Sequence, residues 1–217
     1  MSDLETIATY LPGRFLVLDG GDGVGKTTQM DLLTDRLTLA GLEVCRLRDP
    51  GSTVVGDRIR DILLHGSEDH IDPSCEMLLF MASRAQMLAE KIAPALAAGQ
   101  VVLCDRFVSS TIAYQGASGV DPQRITDLWD RTGGVYPDLT LVLNLTNGAG
   151  LDRARATTGN GGDRMERRDD EYHARVNDMF TGLPETYPAP VRLIDAGSDI
   201  DTVHEAIIES IVEEFGR

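Results

Sequence analysis

Short apolar runs recur along the chain at residues 14–19, 43–47, 101–104, 139–145 and 191–195. Each run has the length of a β-strand, and the stretches between the runs have the apolar spacing of helices. Nearly continuous apolar strands that alternate with helices are typical of a parallel sheet covered on both faces. We therefore predict a doubly wound α/β fold, in which ligands bind beyond the carboxyl ends of the strands.

A glycine-rich loop, GGDGVGKT at residues 20–27, follows the first apolar run directly. Its GxxxxGK[ST] pattern between a strand and a helix predicts a phosphate-binding loop, whose backbone N–H groups and helix N-terminus attract anions. Lys26 is positioned to bridge the outer phosphates of a nucleotide, and the Thr27 hydroxyl to bind Mg²⁺. The competing interpretation is a glycine-rich turn without a ligand. The residues predicted to bind the nucleotide phosphates are Gly20, Gly21, Asp22, Gly23, Val24, Gly25, Lys26, Thr27 and Thr28.

Composition narrows the class of protein. A chain of 217 residues fits a single large domain, and we expect residues 1–217 to form one. The formal net charge of −15 repels nucleic acid at long range, so we expect no polymeric DNA or RNA partner. Three scattered cysteines suggest neither a disulfide framework nor a metal site. With no leader-like or membrane-length apolar run, we expect a cytoplasmic protein that binds no membrane.

Charged and polar residues follow the third apolar run. Asp105 and Arg106 come directly after VVLC, which puts an acid and a base beside the phosphate loop if the third strand neighbours the first. The acid is suited to a metal shell and the base to a phosphate, although a structural ion pair is the alternative. Ser110, Tyr114 and Gln115 follow in SSTIAYQG. They could line an acceptor pocket or form an ordinary amphipathic turn.

Phe80 and Arg84 are four residues apart in the helical stretch CEMLLFMASRAQMLAEKI, so they share one face. A ring beside a guanidinium suits a nucleobase, because the ring can stack while the guanidinium donates to a carbonyl edge. The neighbouring apolar residues favour the alternative that Phe80 belongs to the core. Further along, glycines and asparagine at 158–163 lie among several arginines, which predicts a mobile lid over about residues 153–170.

These motifs together resemble bacterial thymidylate kinases, the P-loop enzymes that phosphorylate dTMP with ATP. The resemblance runs from about Phe15 to the C-terminus. Its motifs are DGGDGVGKTTQ, RDPGST, LLFMASRAQ, DRFVSSTIAYQG, PDLTLVLNL and GDRMERRDDEYHARV. The resemblance implies a five-stranded sheet of the nucleoside monophosphate kinase type, ATP and Mg²⁺ as cofactors, dTMP as acceptor, and a homodimer.

The resemblance also implies roles for particular residues. Phe80 stacks on thymine, Arg84 addresses its O4, and Arg106 holds the acceptor phosphate. The residues implied to bind the acceptor are Asp22, Pro50, Phe80, Arg84, Arg106, Ser110, Thr111, Tyr114 and Gln115. The catalytic side chains are Lys26, Asp105, Arg106 and Arg164. Asp163, Arg164 and Glu166 belong to the lid, and Thr27, Asp105 and Asp22 to the metal shell. Adenine is expected near the backbone of Asp195 and Ala196.

The chain departs from the family pattern at Ser52, where a second glycine is usual, and at Asn144, where an aspartate is usual. The first departure leaves the contact of Asp49 open. Alternative functions share the loop: a kinase for another monophosphate, a deoxynucleoside kinase, or an ATPase switch. Asp19 stands where such a switch normally has a lysine, which argues against the last of these.

Overall fold

The computed structural model of the chain describes residues 3–65, 71–145 and 163–216. Five strands alternate with helices along it. The strands are β1 (Phe15–Gly20), β2 (Val44–Arg48), β3 (Val101–Asp105), β4 (Leu139–Asn144) and β5 (Val191–Asp195). The helices are α1 (Asp3–Tyr10), α2 (Lys26–Leu39), α3 (Val54–Arg60), α4 (Pro73–Met87), α5 (Ala93–Ala97), α6 (Val108–Ala117), α7 (Pro122–Arg131), α8 (Asp170–Thr186) and α9 (Ile200–Phe215). Short π-helical turns, Asp61–His65 and Leu88–Ile92, extend α3 and α4.

The strands form one parallel sheet in the order β2-β3-β1-β4-β5. The prediction of a doubly wound five-stranded sheet is therefore confirmed. Because β1 neighbours β3, the loop after β1 and the pair Asp105–Arg106 after β3 lie at the same edge of the sheet. The backbone N–H of Arg106 donates to the carbonyl of Leu18 at 3.0 Å, which ties the two strand ends together.

Successive side chains of β1 point alternately into two separate hydrophobic layers. Phe15 and Val17 face the layer built with α4, α6, α7 and α8, whereas Leu16 and Leu18 face the layer built with α1, α2 and α9. Both layers are fully buried at these four positions. Side chains on the two sides of a strand thus cover both faces of the sheet, and the polar chemistry is left to the loops at its carboxyl edge.

Part of the predicted lid can be placed. Residues 153–162 lie outside the described residues, and with them Arg153 and Arg155. Residues 163–169 form a turn that leads into α8. Across the described ranges, the structure contains no helix with the length and apolar character needed to cross a membrane.

Candidate active site

Two glycines shape the phosphate loop. Gly20 ends β1 with φ +128°, and a Cβ at this position would lie 2.2 Å from the carbonyl oxygen of Leu143 on β4. Only glycine allows that approach of two backbones. Gly25 caps α2 with φ +93°, a left-handed conformation that glycine adopts without strain. The loop lies between them, and the N-terminus of α2 has unpaired N–H groups that can bind an anion.

Lys26 folds back over the phosphate loop. Its Nζ donates to the carbonyl oxygens of Gly20 at 3.2 Å and Gly21 at 2.5 Å. Burial, together with the nearby positive charge of Arg106, lowers the pKa of Lys26 from 10.5 to about 8, although Asp22 and Asp105 partly oppose the shift. An ammonium group held among carbonyls in this way can move onto phosphate oxygens, which are stronger acceptors.

Arg106 connects the end of β3 to the phosphate loop. It adopts φ +67°, which is uncommon for a residue with a side chain. Its Nη1 donates to the Gly20 carbonyl at 2.8 Å, and its Nη2 pairs with Asp22 at 2.6 Å. Burial alone would lower the pKa of Arg106, but Tyr114, Asp22 and Asp19 outweigh it and raise the pKa. The guanidinium therefore stays charged throughout the physiological range.

Asp19 holds Arg106 and its neighbours in place through its buried carboxylate. Its side chain is fully buried, and its carboxylate accepts hydrogen bonds from Ser109 at 2.5 Å and Ser110 at 2.6 Å. Arg106 lies 3.4 Å from the same carboxylate. Sequence reasoning gave Asp19 no role in the site, although its position at the end of the first strand was a usable signal. The carboxylate holds Arg106 and Ser110 in a fixed relation to the phosphate loop.

A pocket opens beside Arg106, and we call it the acceptor pocket after the residues predicted to bind the acceptor. Every residue predicted to bind the acceptor lines it: Asp22, Pro50, Phe80, Arg84, Arg106, Ser110, Thr111, Tyr114 and Gln115. Residues that the sequence analysis did not assign to the acceptor also line it: Asp49, Arg60, Leu64, Asp163 and Met165. The structure thus gathers segments that are far apart in the chain around one cavity.

Arg84 forms the polar floor of this acceptor pocket. The side chain is fully buried, and its Nε and Nη2 donate to Asp49 Oδ2 at 2.9 and 2.5 Å. Nη2 also contacts the carbonyl of Phe107 and the hydroxyl of Thr111. Nη1 contacts only the weak acceptor Met81 Sδ, at 3.4 Å, among the described residues. That nitrogen is the one still able to donate to a carbonyl of a bound base.

Phe80 lies where either interpretation of its spacing could apply, and its stacking on a base stays a prediction. It is partly buried against the hydrophobic layer and also lines the acceptor pocket.

Asp49 is paired with Arg84 despite the departure from the family pattern at Ser52. Ser52 adopts φ +64°, in the region that glycine favours, and its hydroxyl accepts from the backbone N–H of Arg48 at 2.8 Å. The Asp49–Pro50 peptide bond that follows β2 is cis.

Asp105 offers an oxygen that could hold a magnesium ion, whereas the role of Thr27 stays a prediction. Asp105 is not paired with Arg106, as the ion-pair alternative would have required; its Oδ1 is buried and has no hydrogen-bond partner among the described residues. Within those residues no group of three or more acidic, histidine or cysteine side chains could hold a metal. Mg²⁺ commonly binds one or two protein oxygens and completes its shell with water and substrate phosphates. One buried carboxylate oxygen that lacks a protein partner in the described ranges is a ligand that such an ion could use.

Arg164, which is predicted to lie over the site when the lid closes, pairs with α4 in this structure. Its Nη1 pairs with Glu76 at 2.5 Å, and its Nε donates to the carbonyl of Leu63 at 2.9 Å, so the guanidinium lies against α4 and not over the phosphate loop. The buried carboxylate of Glu76 holds the Arg164 guanidinium there.

Asp163 lines the acceptor pocket. Burial, together with the nearby charges of Asp163 and Asp22, raises the pKa of Glu166. At the end of β4, Asn144 Oδ1 is buried without a partner in the described ranges.

Comparison with known proteins decides the family. A family model described as thymidylate kinase matches residues 18–207. A thymidylate kinase from a Synechococcus species is 45% identical over 185 residues, which span 84% of this chain and 87% of the relative. The chain belongs to the thymidylate kinase family.

Other members of the thymidylate kinase family align over nearly the whole chain. A thymidylate kinase from Methylococcus capsulatus is 41% identical, with 92% of this chain and 95% of the relative covered. The crystal structure of thymidylate kinase from Ehrlichia chaffeensis superposes with a TM-score of 0.73 at 31% identity, covering 91% of this chain and 97% of that one. The resemblance stated from the sequence motifs is confirmed, and with it a P-loop kinase fold that uses ATP and Mg²⁺.

Proposed function

We propose that the chain transfers the γ-phosphoryl group of ATP to dTMP, giving dTDP and ADP. One observation carries the proposal: Arg106 contacts both the phosphate loop, through Gly20 and Asp22, and the acceptor pocket that it lines. A phosphate bound by Arg106 would therefore lie directly beside phosphates bound by Lys26. That is the arrangement that in-line transfer between two nucleotides requires.

Charge neutralisation is the main task of the site. Phosphoryl transfer spreads negative charge over the moving group and its oxygens, so cations held in place supply most of the stabilisation. Lys26 and Arg106 face this charge from the donor and acceptor sides. When bound through Thr27 and Asp105, Mg²⁺ would neutralise further phosphate charge. The acceptor phosphate is largely ionised at neutral pH, so no general base is needed.

The acceptor pocket has the chemistry of a thymine site. Phe80 offers a ring for stacking, and Arg84 Nη1 offers a donor to a carbonyl oxygen. Tyr114 lies against the sugar side, where its hydroxyl donates to Asp22 at 2.9 Å and its ring packs under Arg106 at 5.1 Å. A ring held at its hydroxyl and on its face would leave little room for a ribose 2′-hydroxyl, which favours a deoxynucleotide.

A panel of acceptors tests the proposal. Product formation is measured with ATP, Mg²⁺ and each of dTMP, dUMP, dCMP, dGMP and thymidine. We expect dTMP to give the highest kcat/KM. A preference for thymidine would indicate a deoxynucleoside kinase, and ATP hydrolysis that no acceptor stimulates would indicate an ATPase switch. The family match does not favour these alternatives.

Three further properties are part of the proposal. We infer that residues 1–217 act as one domain with a lid over about 153–170, that two copies form a homodimer, and that the enzyme works in the cytoplasm. The family resemblance supports the dimer. The net charge of −15 supports a small-molecule acceptor and not a nucleic-acid polymer.

A further inference from the structure

Glu76 is a buried carboxylate that has no part in the mechanism above. It lies in the first turn of α4, is 0% exposed, and is surrounded by donors from two other segments. Its Oε1 accepts from Arg164 Nη1 at 2.5 Å and from Arg168 Nη2 at 2.8 Å. Its Oε2 lies 3.1 Å from Arg168 Nη2 and 3.3 Å from Gln115 Nε2. A buried charge of this kind persists only with such partners.

The contact with Gln115 fixes the orientation of an amide. A carboxylate between two guanidiniums accepts hydrogen bonds and has no proton to donate, so the amide nitrogen of Gln115 must face it. The amide oxygen is consequently turned to the other side. Gln115 Oε1 is buried, has no partner among the described residues, and belongs to a side chain that lines the acceptor pocket. This oxygen can therefore accept a hydrogen bond from a ligand in the pocket.

The base of the acceptor supplies such a donor. Thymine carries an N–H at ring position N3, whereas cytosine carries a bare acceptor nitrogen there. An amide oxygen would bind the first and repel the second, and an amide nitrogen would do the reverse. We propose that Glu76 is a positioning residue for base selection, because it holds the Gln115 amide with its oxygen toward the base. This inference rests on the proposed function, in which dTMP is the acceptor.

The two arginines connect this role to the described part of the predicted lid, residues 163–170. Arg168 also donates to Ser118 at 2.7 Å and packs over the Tyr172 ring at 4.5 Å. The backbone N–H of Arg164 donates to the carbonyl of Leu64 at 3.2 Å. Residues 163–168 are therefore fastened to α4 and α6 through Glu76, and Asp163 and Met165 in this segment line the same pocket. One carboxylate orders the amide and one wall of the pocket.

The substitution Glu76→Gln tests the inference. It keeps the size of the side chain but introduces an N–H donor that can bind Gln115 Oε1, so the Gln115 amide can turn over. We expect the ratio of kcat/KM for dTMP to that for dCMP to fall by about tenfold, the effect of one hydrogen bond. We expect KM for ATP to stay the same. Glu171→Gln, in an exposed pair with Arg175, is the matched control and should leave the ratio unchanged.

A double-mutant cycle separates positioning from packing. In a Gln115→Met background the amide is absent, so Glu76→Gln should no longer change the dTMP/dCMP ratio. An equal change in both backgrounds would overturn the inference, and so would a loss of activity that is the same for both nucleotides. If Glu76→Gln does not fold, the charge-balanced E76Q/R168M variant is measured against R168M. A wild-type enzyme inactive on dTMP would instead refute the proposed function.

Discussion

Arg106 and Asp22 form an ion pair at 2.6 Å across the junction between the acceptor pocket and the phosphate loop. Arg106, Lys26 and a hydrogen bond from Tyr114 together lower the pKa of Asp22, in spite of its burial, which raises it. The pair is therefore ionised at neutral pH. A nucleotide phosphate that reaches Arg106 meets a guanidinium already oriented by protein groups, so little reorganisation is needed on binding.

Replacing Arg106 should lower catalysis strongly. Arg106→Ala removes the cation that contacts both binding regions, and we expect kcat to fall by about 10²–10³-fold, as when one preorganised donor to developing charge is lost. Arg106→Lys keeps the charge but cannot form the forked contact, and it should recover only part of the rate. A coupled assay for ADP release measures both variants. Normal turnover in Arg106→Ala would contradict the role.

The pKa of Lys26 predicts a loss of activity in alkaline solution. Because the pKa is lowered to about 8, the free enzyme carries the ammonium charge below that pH and loses it above. The kcat/KM for ATP reports the free enzyme, so it should fall as the pH rises through about 8. Lys26→Arg is the control: it should be slower at neutral pH but show no decline in this range, since guanidinium stays charged. A flat wild-type profile would exclude Lys26 as the titrating group.

The same shift has an effect on stability of opposite sign to the effect on activity. In the unfolded chain Lys26 titrates near its ordinary value of 10.5, so between about 8 and 10.5 the unfolded state binds more protons than the folded state. The contribution of Lys26 to the free energy of unfolding therefore rises with pH in this window. Wild type should gain stability relative to Lys26→Met over this range, as followed by urea unfolding at each pH.

Removing Arg84 should destabilise the fold as well as alter base selection. Arg84→Ala leaves Asp49 buried without its partner, and we expect the free energy of unfolding to drop by about 3–5 kcal/mol. The double variant D49N/R84M removes both charges and should recover part of that loss. Denaturant unfolding measures the change, and the dTMP/dCMP preference is then compared in whichever variants remain folded. Equal stability of Arg84→Ala and wild type would contradict the buried pair.

Gly20 and Gly182 should respond to alanine in opposite ways. Gly20→Ala forces a Cβ to 2.2 Å from the Leu143 carbonyl, at a φ of +128°, so we expect severe destabilisation and loss of ATP binding. Gly182 lies inside α8, and a Cβ there meets nothing within 4 Å. Gly182→Ala should therefore stabilise the protein by roughly 0.5–1 kcal/mol, the usual gain in a helix interior. Thermal unfolding of both variants checks the pair.

The sequence predicted the strands and the pocket well for a physical reason. Apolar runs and glycine patterns are local signals, and in a parallel sheet they also fix which loops meet at the carboxyl edge. Arg106 and the phosphate loop were therefore expected together, and they lie together. The catalytic and binding roles of these residues remain predictions for the assays above.

Pairings between distant residues could not be predicted in this way. Arg84 and Asp49 are 35 positions apart, and Arg164 and Glu76 are 88 apart. Spacing indicates that an arginine is present on a face, but the acid that it meets depends on how separate helices pack. The sequence predicted that Arg164 lies over the site when the lid closes, but it could not predict the pair that Arg164 forms with the buried acid Glu76. Arg60 lines the pocket through the same kind of tertiary placement.

The order of the strands predicts that the two substrates bind on opposite sides of the central strand. Residues after β2 and β3 border the acceptor pocket, β1 stands at the centre with the phosphate loop, and the predicted adenine region follows β5 at the far side. We therefore expect the kinetic effect of a substitution to depend on which strand of the sheet it follows. Substitutions after β2 and β3 would affect binding of the acceptor, and those after β5 would affect binding of the donor. Substitutions after β1 would affect both.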